Sequence, residues 1–239
     1  MRTIGILGGT SWPSTMAPYN MINAEVARRL GGHHSARIIL YSIDYDPIKS
    51  LYHHGWDRIP ALLKREIEFL ARMKPDCLMI ANNTLHKAFD LIETEMALPF
   101  PVFHAVRLTS QALTKAAPGK TLFLGTSFTM DDDFFKGALA RDGVDIIIPD
   151  AAERIAIQKE QTALAQGESP VAARVFFSEL LRRYENQGCE AVVLACTELP
   201  LAIDPSLTQM TLIDPLALQC ATAIDFALKE RDVEWAACA

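Results

Sequence analysis

Cys196, Thr197 and Glu198 stand at the end of an unbroken apolar run, Ala191-Val-Val-Leu-Ala195, that has the length of one strand. A buried parallel strand delivers polar groups to its carboxyl end in this way, and open α/β sheets bind their ligands there. A thiol in that place, with a turn toward a helix behind it, has backbone N–H groups and a helix dipole to favour the thiolate, the form that attacks carbon or removes a proton. The other use of an unpaired cysteine is packing, as a small apolar side chain. A second run, Cys77-Leu-Met-Ile-Ala81, ends in Asn82, Asn83 and Thr84, and Asn82 holds the place there that Cys196 holds in the first.

Both runs belong to a longer repetition. Thr3-Ile-Gly-Ile-Leu7 leads into Gly8-Gly9-Thr10 ahead of one, and Thr121-Leu-Phe-Leu124 leads into Gly125-Thr126-Ser127 ahead of the other. Arg37 to Ile43 and Asp145 to Ile148 stand between in corresponding places. Offsets on the order of 110 residues throughout suggest one α/β unit used twice, with small insertions. The expected fold is α/β with two pseudosymmetric halves, each a parallel sheet flanked by helices, and a cleft between them that gathers both polar strand ends. Residues 1–105 with 208–239 would form the first half and 106–207 the second. Pro99 and Pro101 mark the crossover, with a fourth strand expected from Pro99 to Val106. A last strand at Met210 to Ile213 and a helix from Pro215 to Lys229 are expected to return to the first half, and the tail from Glu234 to Ala239 to carry no function.

Bulk properties bound the function. The chain has 239 residues, 50% hydrophobic and 22% charged, enough to bury a sizeable core. A net charge of −6 argues against a nucleic-acid surface or an anionic membrane as partner. No apolar stretch reaches the roughly 18 residues of a membrane span. Met1-Arg-Thr-Ile-Gly runs straight into the first strand, so no export segment is expected. Five scattered cysteines resemble neither a disulfide framework nor a zinc site, and a reducing cytoplasm is the expected location.

The first glycine loop, Gly8-Gly9-Thr10-Ser11-Trp12-Pro13, would let the backbone approach a ligand or an anion, with Pro13 in the first turn of the next helix. It fits neither the dinucleotide fingerprint nor a P-loop, so no nucleotide cofactor is expected. Asp44, Tyr45, Asp46, Lys49, His53 and His54 form a polar loop at the carboxyl end of the second strand. The pairs His33-His34 and His53-His54 read as surface residues, because neighbouring side chains diverge. His86 and Asp90 fall on one helix face, to orient the turn or to pair at a surface. The run Asp131 to Asp133 reads as helix capping.

Taken together, Gly8 to Thr15, Asn83-Thr84-Leu85-His86-Lys87, Leu124 to Met130 and Cys196-Thr197-Glu198-Leu199 resemble the aspartate/glutamate racemase superfamily, in particular its amino-acid racemase branch. The resemblance spans most of the chain. It implies a cofactor-independent enzyme with its site between two α/β halves, a small amino-acid or dicarboxylate substrate, and a homodimer. Racemases of this kind use two cysteines on opposite faces of the α-carbon, a thiolate that removes the proton and a thiol that returns one. Carried over, Cys196 would be one of them. Asn83, Thr84 and Thr197 would bind the α-carboxylate and stabilise the carbanion's charge. Ser11 and Thr126 would line the cleft, and Glu198 would stand near the ammonium group or fix the turn. Arg107, Lys49 and Lys159 are candidates for a side-chain carboxylate.

The family's first motif runs Cys-Asn-Thr-x-His, whereas this chain has Asn82-Asn83-Thr84-Leu85-His86. An asparagine cannot serve as general acid or base. Cys77 is no substitute, since five residues of strand span on the order of 16 Å. Pro13 also stands where relatives have glutamate, and the segment from Ile157 to Gly167 departs from their pattern. Three functions follow: a racemase of aspartate or glutamate with an asymmetric site, where Cys196 works one face and water held by Asn82 or another side chain the other; a single-cysteine decarboxylase or lyase; or an inactive dicarboxylate-binding protein. The first is the expectation.

Overall fold

The computed structural model describes residues 1–229, so the tail from Glu234 lies outside the described residues. The chain starts with β1 (Ile4–Gly8), α1 (Trp12–Leu30), β2 (Ile38–Ser42), the short α2 (Asp46–Lys49), α3 (Ile59–Ala71), β3 (Cys77–Ile80) and α4 (Leu85–Met96). Then come α5 (Ala105–Ala116), β4 (Lys120–Leu124), α6 (Ser127–Asp131), α7 (Asp133–Arg141), β5 (Ile146–Ile147), α8 (Ala151–Ala165) and α9 (Val171–Asn186). β6 (Cys189–Leu194), β7 (Thr211–Ile213) and α10 (Pro215–Leu228) complete the described residues. Two parallel sheets result, ordered β2-β1-β3 and β5-β4-β6-β7. The order of the first sheet recurs in the first three strands of the second, as the repeat in the sequence requires.

Local chemistry sets the ends of these elements. Pro13 sits in the first turn of α1, and Gly31 closes that helix at φ 68°. Asp132 caps α7, and Asp150 with Glu153 forms a capping box on α8. The acidic triplet therefore spans the junction of two helices, with only its middle member as the cap. Glycine at position 9 is required by φ 90° and by the chain itself: a Cβ there would lie 2.2 Å from the Ile43 carbonyl oxygen. The close approach expected toward a ligand is thus made to β2's exit, where the Ile43 N–H donates to the Gly8 carbonyl at 3.0 Å.

Two expected elements differ. Residues 99–106 make a single parallel bridge, Leu78 with Val102, and no strand. Pro99 and Pro101 have no N–H to continue a ladder, and α5 begins at Ala105, so pairing is confined to Leu78 donating to Pro101 and Phe103 donating to Leu78, both at 2.9 Å. The other is β7, which extends the second sheet through Ala191 with Thr211 to Val193 with Ile213 and does not return to the first. Only α10 returns, packing on α1, α5 and β3, while Arg2 donates through its N–H to the Ala227 carbonyl at 3.0 Å. The apolar core follows the sheets: Leu122, Phe123, Val192 and Phe177 fill the second, Ile6, Met79 and Ala223 one face of the first, and Leu7, Ile80 and Leu63 the other.

Candidate active site

The two polar strand ends are built alike. β3 makes its last ladder bond from the Ala81 N–H to the Leu7 carbonyl, at 2.9 Å, and β6 its last from the Ala195 N–H to the Leu124 carbonyl, at 2.6 Å. The next residues, Asn82 and Cys196, are the first freed from the sheets, and both line one cavity of about 440 Å³. Thr84, Thr126, Thr197 and Glu198 also line it. Ser11 and Asn83 are buried but are not part of its wall, and Ser11 Oγ and both polar atoms of the Asn83 amide have no hydrogen-bond partner among the described residues.

Glu198 is the electrostatic centre. Its carboxylate is 4% exposed and has no cation within ion-pair distance among the described residues. Hydrogen bonds hold it instead: Oε2 accepts from Cys196 Sγ at 2.8 Å and Gln161 Nε2 at 3.3 Å, and Oε1 from Ser14 Oγ at 3.1 Å and Thr197 Oγ1 at 3.2 Å. Gln161 is in turn bonded through its Oε1 by Gln158 Nε2 at 2.7 Å, and Gln158 Oε1 accepts the Ser127 N–H at 2.8 Å, so both amides have a fixed sense.

This environment decides between the helix end, which would lower the thiol, and the nearby carboxylate, which would raise it. Burial, and then the adjacent Glu198 carboxylate, push the Cys196 thiol well above its ordinary range, against a smaller opposing pull from Lys49. The turn behind Cys196 is a three-residue 3₁₀ turn, Leu199–Leu201, and not a helix long enough for its dipole to prevail. The resting group is therefore a thiol whose proton is already shared with a carboxylate.

Asn82, which lines the same cavity, is likewise oriented. Its Oδ1 accepts the Leu85 N–H at 2.9 Å, which turns Nδ2 toward the Tyr45 hydroxyl at 3.3 Å. Tyr45 is hydrogen-bonded to Tyr52, and both phenols line the cavity. Thr84 Oγ1 reaches Thr129 Oγ1 at 3.2 Å, joining the two halves across the cleft floor.

Of the candidates for a distal carboxylate, Lys49 alone lines the cavity, with its ammonium 4.3 Å from the centre of the Tyr52 ring. Arg107 is exposed and bound by Asp90 and Glu93, and Lys159 faces an outer groove beside Ile155. His86 is fully buried and accepts the Ala105 N–H at 3.3 Å, while Asp90 pairs with His104 and Arg107, so the expected His86 and Asp90 face is split between core and surface. His53 and His54 are exposed. Among the described residues no three of His, Cys, Asp or Glu converge as a metal site. No helix among them is long and apolar enough to cross a membrane.

Sequence reasoning missed Ser14, Gln161 and Tyr52. Gln161 lies in the segment that departs from the racemase pattern, and Tyr52 sits seven residues, about two helical turns, from Tyr45, a spacing that carries no signal until the α2 turn is known.

Comparison with known proteins gives a consistent result. Residues 7–223 match the family described as Asp/Glu/hydantoin racemase. A candidate Asp/Glu racemase from Yersinia pestis is 31% identical, with a TM-score of 0.82 over 96% of this chain and 100% of its own. An aspartate racemase homologue from Pyrococcus horikoshii is 28% identical, with a TM-score of 0.77 over 95% of this chain and 99% of its own. The aspartate racemase of Picrophilus torridus, at 21% identity and a TM-score of 0.79 over 95% of this chain and 94% of its own, shares the fold. An uncharacterized protein from the pnlA 3′ region of Pectobacterium carotovorum is 27% identical over 99 residues, which spans 41% of this chain and 65% of that relative.

Proposed function

The chain belongs to the Asp/Glu/hydantoin racemase family, and we propose that it is a cofactor-independent racemase that moves the α-proton of aspartate or glutamate through Cys196, at a site where Asn82 stands in place of a second cysteine. The observation that carries this reading is the pairing of a buried thiol and carboxylate, 2.8 Å apart, in a cavity that Asn82 also lines. Glu198 takes the thiol proton, and the thiolate removes the α-proton of the bound amino acid. The substrate's ammonium and Lys49 bring positive charge beside the pair, which lowers the cost of forming the thiolate. Thr84 and Thr197, both on the cavity wall, hold the α-carboxylate, onto which the carbanion's charge spreads. An acidic substrate is supported by Lys49, a cation on the cavity wall with no ion-pair partner among the described residues.

Proton NMR of L- and D-aspartate and of L- and D-glutamate in heavy water tests the proposal. The wild-type protein is expected to erase the α-proton signal of at least one of them, and Cys196→Ser to leave it intact. Unchanged signals from all four, with carbon dioxide released from a substituted malonate, would assign the site to decarboxylation instead.

A further inference from the structure

Inversion needs a proton delivered to the face of the α-carbon opposite the one from which Cys196 takes it. Asn82 has no titrating proton to give. Its amide nevertheless points at a group that does. Because Asn82 Oδ1 accepts the Leu85 N–H, Nδ2 is the atom that faces Tyr45, and an amide nitrogen only donates. The Tyr45 oxygen is therefore an acceptor of that bond, and its own O–H is free to turn between the Tyr52 hydroxyl and the cavity. Tyr52 is itself wedged in place, its ring 5.3 Å from Trp56 and 5.0 Å from Phe128 between centres. The arrangement fixes one phenolic oxygen beside Asn82, on a wall of the cavity that Cys196 also lines.

We propose that Tyr45 is the acid on the Asn82 face, with Asn82 and Tyr52 as the positioning residues that hold its oxygen. This rests on the racemase reading above. The Cys196 thiolate takes the α-hydrogen as a proton and becomes a thiol, leaving the electron pair on the α-carbon. That pair takes the phenolic proton of Tyr45, so a C–H bond forms on the opposite face as the O–H bond breaks. The phenolate left behind accepts from the Asn82 N–H and the Tyr52 O–H. One proton then passes through water in the cleft from the Cys196 and Glu198 pair to Tyr45, and the starting state returns. Burial first, and then the neighbouring phenol, hold Tyr45 well above the ordinary tyrosine range, which suits a group that must arrive protonated. Cys196 and Tyr45 are unlike partners, so the enantiomer whose α-hydrogen faces Cys196 exchanges in place as well as inverting.

Tyr45→Phe separates the two faces. The variant is expected to exchange the α-hydrogen of that enantiomer within about threefold of wild type, while inversion followed by chiral chromatography falls roughly 10²-fold or more. Adding Asn82→Cys to it is expected to restore inversion by supplying a thiol on that face. Tyr52→Phe keeps the packed ring and removes only the hydroxyl, and it is expected to lower inversion more than exchange, which also serves if Tyr45→Phe fails to fold. Wild-type inversion by Tyr45→Phe overturns the assignment, as does equal loss of exchange and inversion in a folded variant. Absence of exchange by the wild-type protein overturns the racemase reading and this acid together, a result distinct from loss of inversion alone.

Discussion

Glu198 shows how one residue can serve two opposed needs. As a carboxylate 2.8 Å from Cys196 Sγ it can accept the thiol proton, yet its charge and its hydrogen bond are also what hold that thiol up after burial has done so. Glu198→Gln separates the two effects. The variant keeps a carbonyl oxygen for Ser14 and Thr197 and loses the charge, so both contributions that raise the thiol disappear and only burial remains. Alkylation of Cys196 by iodoacetamide should then set in at lower pH than in wild type. Exchange of the substrate α-hydrogen should fall by about 10²-fold, the usual contribution of a positioned base. An onset of alkylation moved to higher pH would show that the carboxylate does not control the thiol. The Cys196 and Glu198 pair was legible from a tripeptide at a strand end. The direction of the thiol's shift was not, because a dipole and a carboxylate two residues away act in opposite senses and only depth of burial decides between them.

At the level of elements, the caps and stops are local devices that the chain spells out directly. Asp214-Pro215 is one: the carboxylate caps α10, accepting the Leu216 N–H at 2.9 Å, with proline in the first turn. Burial there raises the Asp214 carboxyl to about 6, against the lowering effect of the N–H groups of Leu216 and Ala217. Its folded value thus lies above the unfolded one near 3.9. Between these two values the folded protein binds the extra proton, so stability from this group is fully present below about pH 4 and is lost as pH rises toward and past 6. The change is no more than about 3 kcal/mol. Asp214→Asn keeps a capping oxygen and cannot titrate; its urea midpoint should vary less than wild type's across that window. An unaltered pH slope would mean that Asp214 does not carry it. Elements that depend on neighbours were less legible. The apolar residues around Val102 resemble a strand, but the missing N–H groups of two prolines limit it to one bridge, and β7 takes its place from β6 rather than from its own three residues.

Across the whole molecule, the two halves meet over the cleft through side chains. Trp56 from the first half stacks on Phe128 from the second at 5.0 Å and 19°, Tyr52 packs on the same ring, and Lys87 lies 4.7 Å from the Trp56 ring centre while pairing with Asp132. This aromatic clasp carries Tyr52, and through it Tyr45, on one side of the cavity. Phe128→Ala should loosen it and raise KM about tenfold, the ~1.4 kcal/mol of one or two aromatic contacts, with exchange at saturation changed less than about threefold. A variant with unchanged KM would show that the clasp plays no part in holding substrate.

The sequence by itself determined the α/β class, the two-fold use of one unit, the helix caps and the polar strand ends, because each is written within about a dozen residues as period, cap or turn. It also identified the family, since the glycine loops and the Cys196-Thr197-Glu198 end are contiguous motifs. Tertiary structure alone decided which side chains share the cavity. Ser14 and Gln161 reach Glu198 from distant positions in the chain, Tyr45 and Tyr52 come beside Asn82, and Lys49 lines the cavity while Arg107 faces outward. Those contacts depend on how the two sheets are docked, a global solution of packing that no local run of residues encodes.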